Sequence, residues 1–392
     1  MTSRSSISLI DIVIVLGLWF CALVNILSPS LNRVALYAVI PGLFLLSLLR
    51  NGGFRTNSYL TLEGFLCLFC VCSLFWAKYQ DATEKELHQV VGVFLLSFVF
   101  AVNAKKPGLV PFLYITYLFL MANCLIYAET HILTDRMSSL YGERLNDDVL
   151  DANTFSYYLV FCTFITFLFS RYKNIFGKGM LMLFIIMIPF TFYISLRTAS
   201  RQILLLQVPF IVFLVFMRFF YKKHTPQLII TILLVLLLAL LLSNYVFNTF
   251  TNSYLYERTQ IDIEEDSRIE LMKDAYKVGL EHFPLGVGSG NYIRYSYNSH
   301  FSHNTFTELW ANLGIVGLIL FCWMIFMFCS TQWKRYKESK DLTYISFLAF
   351  GIIFICQNMF YSFYTGLWLM GFFILVATHS ETYHDINRPC KK

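Results

Sequence analysis

Residues 228–242 read LIITILLVLLLALLL, fifteen positions with one hydroxyl and no charge. The run lacks the period-two alternation of a membrane barrel strand. Working outward from it, comparable apolar runs are broken every twenty to thirty residues by short clusters of Lys, Arg, Asn, Gly or Pro. That rhythm fits helices, each needing roughly 20 residues to cross a bilayer and satisfying its own backbone hydrogen bonds there. The 392 residues are 57% hydrophobic and 14% charged, with mean hydropathy +0.61, which argues against a water-soluble globule. The predicted fold class is therefore all-α: one integral membrane domain over 1–392, a polytopic bundle of about twelve transmembrane helices. The expected spans lie near 8–27, 34–49, 60–77, 89–103, 109–128, 155–170, 179–196, 202–220, 227–245, 305–329, 342–361 and 364–378. Arg4 flanks the first run and no small-residue cleavage site follows it, so that run reads as a retained helix.

Lysine and arginine set the orientation. Arg50/Arg55, Lys105/Lys106, Arg171/Lys173/Lys178, Lys222/Lys223 and Lys334/Arg335/Lys337/Lys340 fall in even-numbered loops, and Arg388, Lys391 and Lys392 in the tail. By the positive-inside rule these face the cytoplasm, with both termini. The net charge of +6 is thus a topology signal, and nucleic acid is not an expected partner. Nine of ten cysteines lie in predicted spans, so no disulfide framework is expected; Cys67 and Cys70 read as small apolar packing residues.

Two outward segments exceed simple turns: 129–153, and 246–304 between spans nine and ten. Long loops in compact proteins are more often functional than idle. In the second, Asp266 to His282 places Ile269, Met272, Ala275, Tyr276 and Val278/Gly279 at helical spacing, and Phe283-Pro284 ends the pattern. An amphipathic helix is expected, lying on the outer membrane face or against the bundle. Then comes Pro284-Leu285-Gly286-Val287-Gly288-Ser289-Gly290-Asn291. Its alternating glycines form either an anion-binding nest of backbone amides or a flexible return to the bundle.

His303-Asn304-Thr305-Phe306-Thr307-Glu308 leads into Leu313-Gly314-Ile315-Val316-Gly317, placing an imidazole at the mouth of an apolar run. With an ordinary pKa of about 6.5, a histidine there is a candidate general base. Leu196-Arg197-Thr198-Ala199-Ser200-Arg201 puts two arginines in an outward turn, against the positive-inside trend. Arg197, Arg201 and Arg268 are candidate ligands of a phosphate group, because guanidinium stays charged and binds phosphate oxygens bidentately.

Three pieces together resemble the O-antigen ligase and polymerase superfamily of bacterial envelope glycosyltransferases: Ser200-Arg201 leading into a span; Ser267-Arg268 with its helix and the glycine segment; and His303-Asn304 followed by Glu308 and Gly314/Gly317. The resemblance covers mainly 190–330. It implies a GT-C-like bundle in the bacterial inner membrane with its active site facing the periplasm. It also implies metal-independent, inverting transfer of a glycan from an undecaprenyl-pyrophosphate carrier, without a cofactor. Arg201 and Arg268 would then hold the pyrophosphate and His303 activate the acceptor hydroxyl, on a growing glycan or on lipid A-core. Arg197 matches no family position and stays a weaker candidate. Gly288, Gly290, Asn291, Asn304 and Glu308 are candidate site-lining residues. So is Asn153, because Asp151-Ala152-Asn153 resembles a polar motif these families place before the sixth span; a helix N-cap explains it equally. Glu308 is off the i+4 register from His303 and reads otherwise as a polar anchor in the bundle. A chain-length regulator is an expected further partner. The competing reading is a flippase for the same lipid-linked glycan, or another transporter. The single large outer loop and the scarcity of ionisable residues in mid-span speak against it.

Overall fold

The computed structural model describes residues 7–53, 57–128, 152–198, 203–220, 247–248, 250–252, 256, 267–297 and 299–387. No strand occurs among them. The helices are α1 (Leu9–Leu27), α2 (Pro29–Val34), α3 (Ile40–Arg50), α4 (Ser58–Cys72), α5 (Gln80–Ala104), α6 (Val110–Tyr127) and α7 (Ala152–Phe169). There follow α8 (Ile175–Thr198), α9 (Val208–Val215), α10 (Ser267–Glu281), α11 (Tyr292–Tyr295), α12 (Thr305–Ser339), α13 (Leu342–Asn358) and α14 (Leu367–Asn387).

Seven described stretches are long and apolar enough to cross a membrane: Leu9–Ile26, Ser30–Arg50, Ser58–Phe75, Gln80–Ala104, Val110–Tyr127, Ile175–Ser195 and Thr305–Ser339. Thr154–Phe169, Leu205–Phe219 and Leu342–Asn358 are apolar but shorter. The chain is a multi-pass membrane protein of helices; the expected span near 227–245 lies outside the described residues. Two boundaries differ from the sequence expectation in ways that matter for function. α5 begins at Gln80, nine residues before the expected 89, because the polar stretch Gln80 to His88 is itself helical. α12 runs on to Ser339, ten residues past the apolar run, and ends at Lys340 in the left-handed region (φ 56°).

By contacts the chain divides into two units. Leu120–Ile263 contains α7, α8 and α9. Gln207 donates to the Thr163 hydroxyl (2.8 Å), and Arg218 bonds the hydroxyl and carbonyl of Ser170, both at 3.2 Å.

Met1–Phe119 with Glu264–Lys392 forms the other unit, which carries the described part of the site. Its centre is aromatic. Phe354 stacks on Phe373 with centroids 4.5 Å apart, Tyr117 meets Phe372 edge-on at 4.6 Å, and Phe350 meets Phe372 at 5.4 Å. Lipid tails are as apolar as these rings, so close packing and interhelical hydrogen bonds hold such helices together. Gly371 shows the consequence: an added Cβ there would stand 3.2 Å from the Phe100 ring and from the Tyr117 hydroxyl.

Hydrogen bonds show which helix ends meet. The wholly buried Asp11, at the start of α1, pairs with Arg50 at the end of α3 (2.8 Å) and with Lys106 just after α5. Asn57, capping α4, donates to Thr378 in the second half of α14 (2.6 Å), and Arg335 in the last turns of α12 donates to the Ser380 carbonyl (2.9 Å). Arg50, Lys106 and Arg335 therefore lie at one end of this unit. The end of α4, the starts of α5, α12 and α14, and the end of α13 meet at the other. The functional candidates of this unit lie there.

Candidate functional site

α10 packs against α12 through Leu271, Ala275 and Val278, spaced i, i+4, i+7, each under 7% exposed. Ala275 and Val278 form one buried cluster with Val287, Tyr292 and Ala311. The amphipathic helix thus lies against the bundle, and Tyr276, part of the expected apolar face, is turned outward, 56% exposed. Tyr276 stacks on Trp310 with ring centroids 6.2 Å apart, and the Trp310 indole donates to the Tyr276 carbonyl (3.0 Å).

The glycine segment is neither a flexible return nor an open nest. The amides of Val287 and Gly288 donate to the carbonyls of Ala311 (2.9 Å) and Asn312 (2.8 Å), and the Ser289 amide to the Ser73 hydroxyl (2.9 Å). These donors are committed within the protein. Their acceptors are available because α12 breaks at Gly314 (φ 60°, ψ −153°), which frees carbonyls that a continuous helix would consume; Ile315 in turn donates to the Pro284 carbonyl (3.0 Å). Irregular backbone at membrane depth is tolerated where neighbouring protein satisfies it in this way. Glycine is required at 288, where φ is +96° and a Cβ would stand 2.5 Å from that of Ala77. Asn291, fully buried, completes the lock: its amide donates to Thr83 (2.6 Å) and its oxygen accepts from the Tyr79 amide (2.8 Å). Fully buried Tyr292 lies with its hydroxyl 3.0 Å from the Leu271 carbonyl. Burial, first, and the Asp274 carboxylate push that phenol upward, so it serves as a donor.

His303 precedes α12 in the left-handed region (φ 54°), a conformation that disfavours any side chain beyond glycine. Its neighbours hold it there. The buried Glu308 carboxylate accepts the Ser302 amide (2.6 Å), the Ser302 hydroxyl donates to the Asn304 carbonyl (3.0 Å), and Asn304 caps α12 by accepting the Phe306 amide (2.9 Å). The Asn304 amide group also reaches the Met359 carbonyl (3.3 Å). The half-buried imidazole packs on Phe301 with centroids 4.4 Å apart. Glu308, which sequence spacing alone could not link to His303, thus supports the adjacent residue.

Arg268 sits in the first turn of α10, four residues before Met272, whose sulfur lies 3.3 Å from the Asn304 side chain. On a helix these two positions share one stripe, so Arg268 is carried on the face turned toward the His303 segment. Arg201 lies outside the described residues. Arg197 is in the last turn of α8 and Asn153 in the first turn of α7, with side chains that are not described.

A cavity of 570 Å³ opens at this end, within the same unit. Glu86, Glu308, Tyr364 and Gly290 line it. The Glu86 carboxylate accepts from the hydroxyls of Tyr364 (2.7 Å) and Ser289 (2.8 Å). Sequence reading missed Asp81, Lys85, Glu86 and Gln89 as site residues, because 78–88 reads as a loop between spans and Gln89 as the first residue of the next span. The signal was available: Asp81, Lys85 and Gln89 are four apart, on one helical face. Arg294 reaches Asp81 at 3.0 Å, but both are more than half exposed, so the pair adds little stability. Among the described residues no group of three or more His, Cys, Asp or Glu is placed to hold a metal ion.

The family model described as O-antigen ligase matches residues 182–322. That interval contains Arg197, Arg201, Arg268, the glycine segment, His303, Asn304 and Glu308. The match supports the O-antigen ligase and polymerase superfamily to which the motifs pointed, and with it a glycan-transferring membrane protein. No curated protein matches the chain at a significant level.

Proposed function

We propose that this O-antigen ligase-like membrane protein transfers an oligosaccharide from an undecaprenyl-pyrophosphate carrier to a glycan or lipid A-core acceptor at the periplasmic face of the inner membrane. The observation that carries the reading is the family match, which spans Arg201, Arg268 and His303 together. The arrangement in the Arg268–His303 unit supports it: the histidine stands at the helix ends opposite the basic cluster of Arg50, Lys106 and Arg335, which the positive-inside rule assigns to the cytoplasm.

In this mechanism the acceptor hydroxyl attacks the anomeric carbon of the donor sugar. The new glycosidic C–O bond forms as the bond to the phosphate oxygen breaks, with inversion. The hydroxyl proton passes to the His303 imidazole, and the electron pair leaves with the pyrophosphate. Arg201 and Arg268, with Arg197 as a weaker third, stabilise the charge gathering on the leaving group. No metal ion takes part.

The test is the surface glycan profile of a deletion strain complemented with wild type or His303→Ala. Single repeat units capping the surface lipid identify a polymerase; long carrier-linked chains beside bare acceptor identify a ligase. His303→Ala should reproduce the deletion at normal expression, and a normal profile in that strain would remove His303 from the base role.

A further inference from the structure

We propose that the 570 Å³ cavity holds the sugar chain of the acceptor, with Ser362 as a hydrogen-bonding contact to a sugar hydroxyl. This rests on the glycan-transfer reading above and assigns its acceptor subsite.

Ser362 lines the cavity from the turn between α13 and α14. It is 9% exposed, and its hydroxyl has no hydrogen-bond partner among the described residues. A buried polar group left unpaired is costly and calls for an explanation; here the hydroxyl belongs to a cavity wall, so a ligand hydroxyl is its natural complement. The rest of the wall has the chemistry of a sugar site. Phe301 and Tyr361 meet edge to face with centroids 6.4 Å apart, offering apolar faces to sugar C–H groups. Gln89 adds an amide that both donates and accepts. The volume lies within the ~300–1,000 Å³ typical of small-molecule sites, enough for the end of an oligosaccharide.

Arg268, the described candidate for holding the donor pyrophosphate, is not among the lining residues, so this subsite lies apart from it. The wall also leads to the base, since Phe301 packs on His303 and Glu308 holds the amide of Ser302. A hydroxyl at the inner end of a chain seated here is the group His303 is placed to deprotonate.

The test uses the full-length protein in nanodiscs, with wild type, Ser362→Ala and Gln89→Ala. The probe is the host's own surface oligosaccharide, released by mild acid and titrated directly; transfer from lipid-linked donor gives KM for donor and acceptor separately. Because the Ser362 hydroxyl bonds nothing among the described residues, its removal should leave Tm equal or higher. Losing one hydrogen bond to the ligand should weaken probe binding and raise acceptor KM about five- to tenfold, with donor KM unchanged. Gln89 is exposed, so its truncation provides the same comparison free of folding effects. Unchanged probe binding in both variants overturns the proposal, as does a rise in donor KM instead, or a wild type that transfers glycan without binding the probe. A wild type that binds the probe, loses binding in the variants and transfers nothing would refute the transfer reading while leaving the sugar site standing.

Discussion

Glu308→Ala tests whether His303 depends on its backbone setting. The wild-type carboxylate accepts the Ser302 amide at 2.6 Å, and Ser302 is fully buried. Alanine would leave that amide without an acceptor, at a cost of about 1–3 kcal/mol. A non-glycine residue in the left-handed region costs roughly 1–2 kcal/mol more than in an ordinary one, and His303 pays this at φ 54°. The two quantities are comparable, so without the anchor the 301–304 segment should relax toward ordinary backbone angles for much of the time. At about 1.4 kcal/mol per tenfold in rate, kcat for glycan transfer should fall between several-fold and roughly a hundredfold. Donor KM should change little, because Arg268 is held by α10. Glu308→Gln retains an oxygen to accept the Ser302 amide and should keep activity within about threefold of wild type. Both variants would be assayed in nanodiscs with lipid-linked donor, alongside Tm. Wild-type kcat in Glu308→Ala would refute the reasoning, and Glu308→Gln as inactive as Glu308→Ala would show that the charge, and not the hydrogen bond, is what matters.

Arg268→Lys should raise donor KM nearly as much as Arg268→Ala, since lysine cannot make a bidentate contact with the pyrophosphate; full activity in the lysine variant would reduce Arg268 to a point charge. Gly288→Ala should lower Tm by several degrees, because φ +96° and a Cβ 2.5 Å from that of Ala77 combine strain with overpacking of about 1–3 kcal/mol, and an unchanged melting curve would contradict the close approach. Transfer should continue at its full rate after treatment with a chelator; loss restored by added divalent ion would overturn the metal-free mechanism.

The helical membrane class, most of the spans and the segments that carry His303 and Arg268 were legible in the sequence. They depend on local properties: hydrophobic run length, the distribution of Lys and Arg, and residue types whose chemistry is unusual beside an apolar run. α10 was legible too, although which stripe it buries was only half so, since Leu271 belongs to it and Tyr276 does not. The polar start of α5 was misread as loop because hydropathy marks where a helix is apolar and not where it begins.

Tertiary structure decided the rest, and the physical reason is long-range hydrogen bonding. Alternating glycines are equally consistent with an anion nest, a flexible loop or a packed strap. Only the breaking of α12 at Gly314, with Ala311 and Asn312 offering their carbonyls, selects the strap. Glu308 is five residues from His303 and on helical register would not meet it, but the turn at Ser302 folds back onto its carboxylate. Glu86 and Tyr364 are separated by 278 positions and share one hydrogen bond. The sequence determines that these groups exist; their convergence on one cavity follows from the helix ends meeting there, which no local pattern encodes.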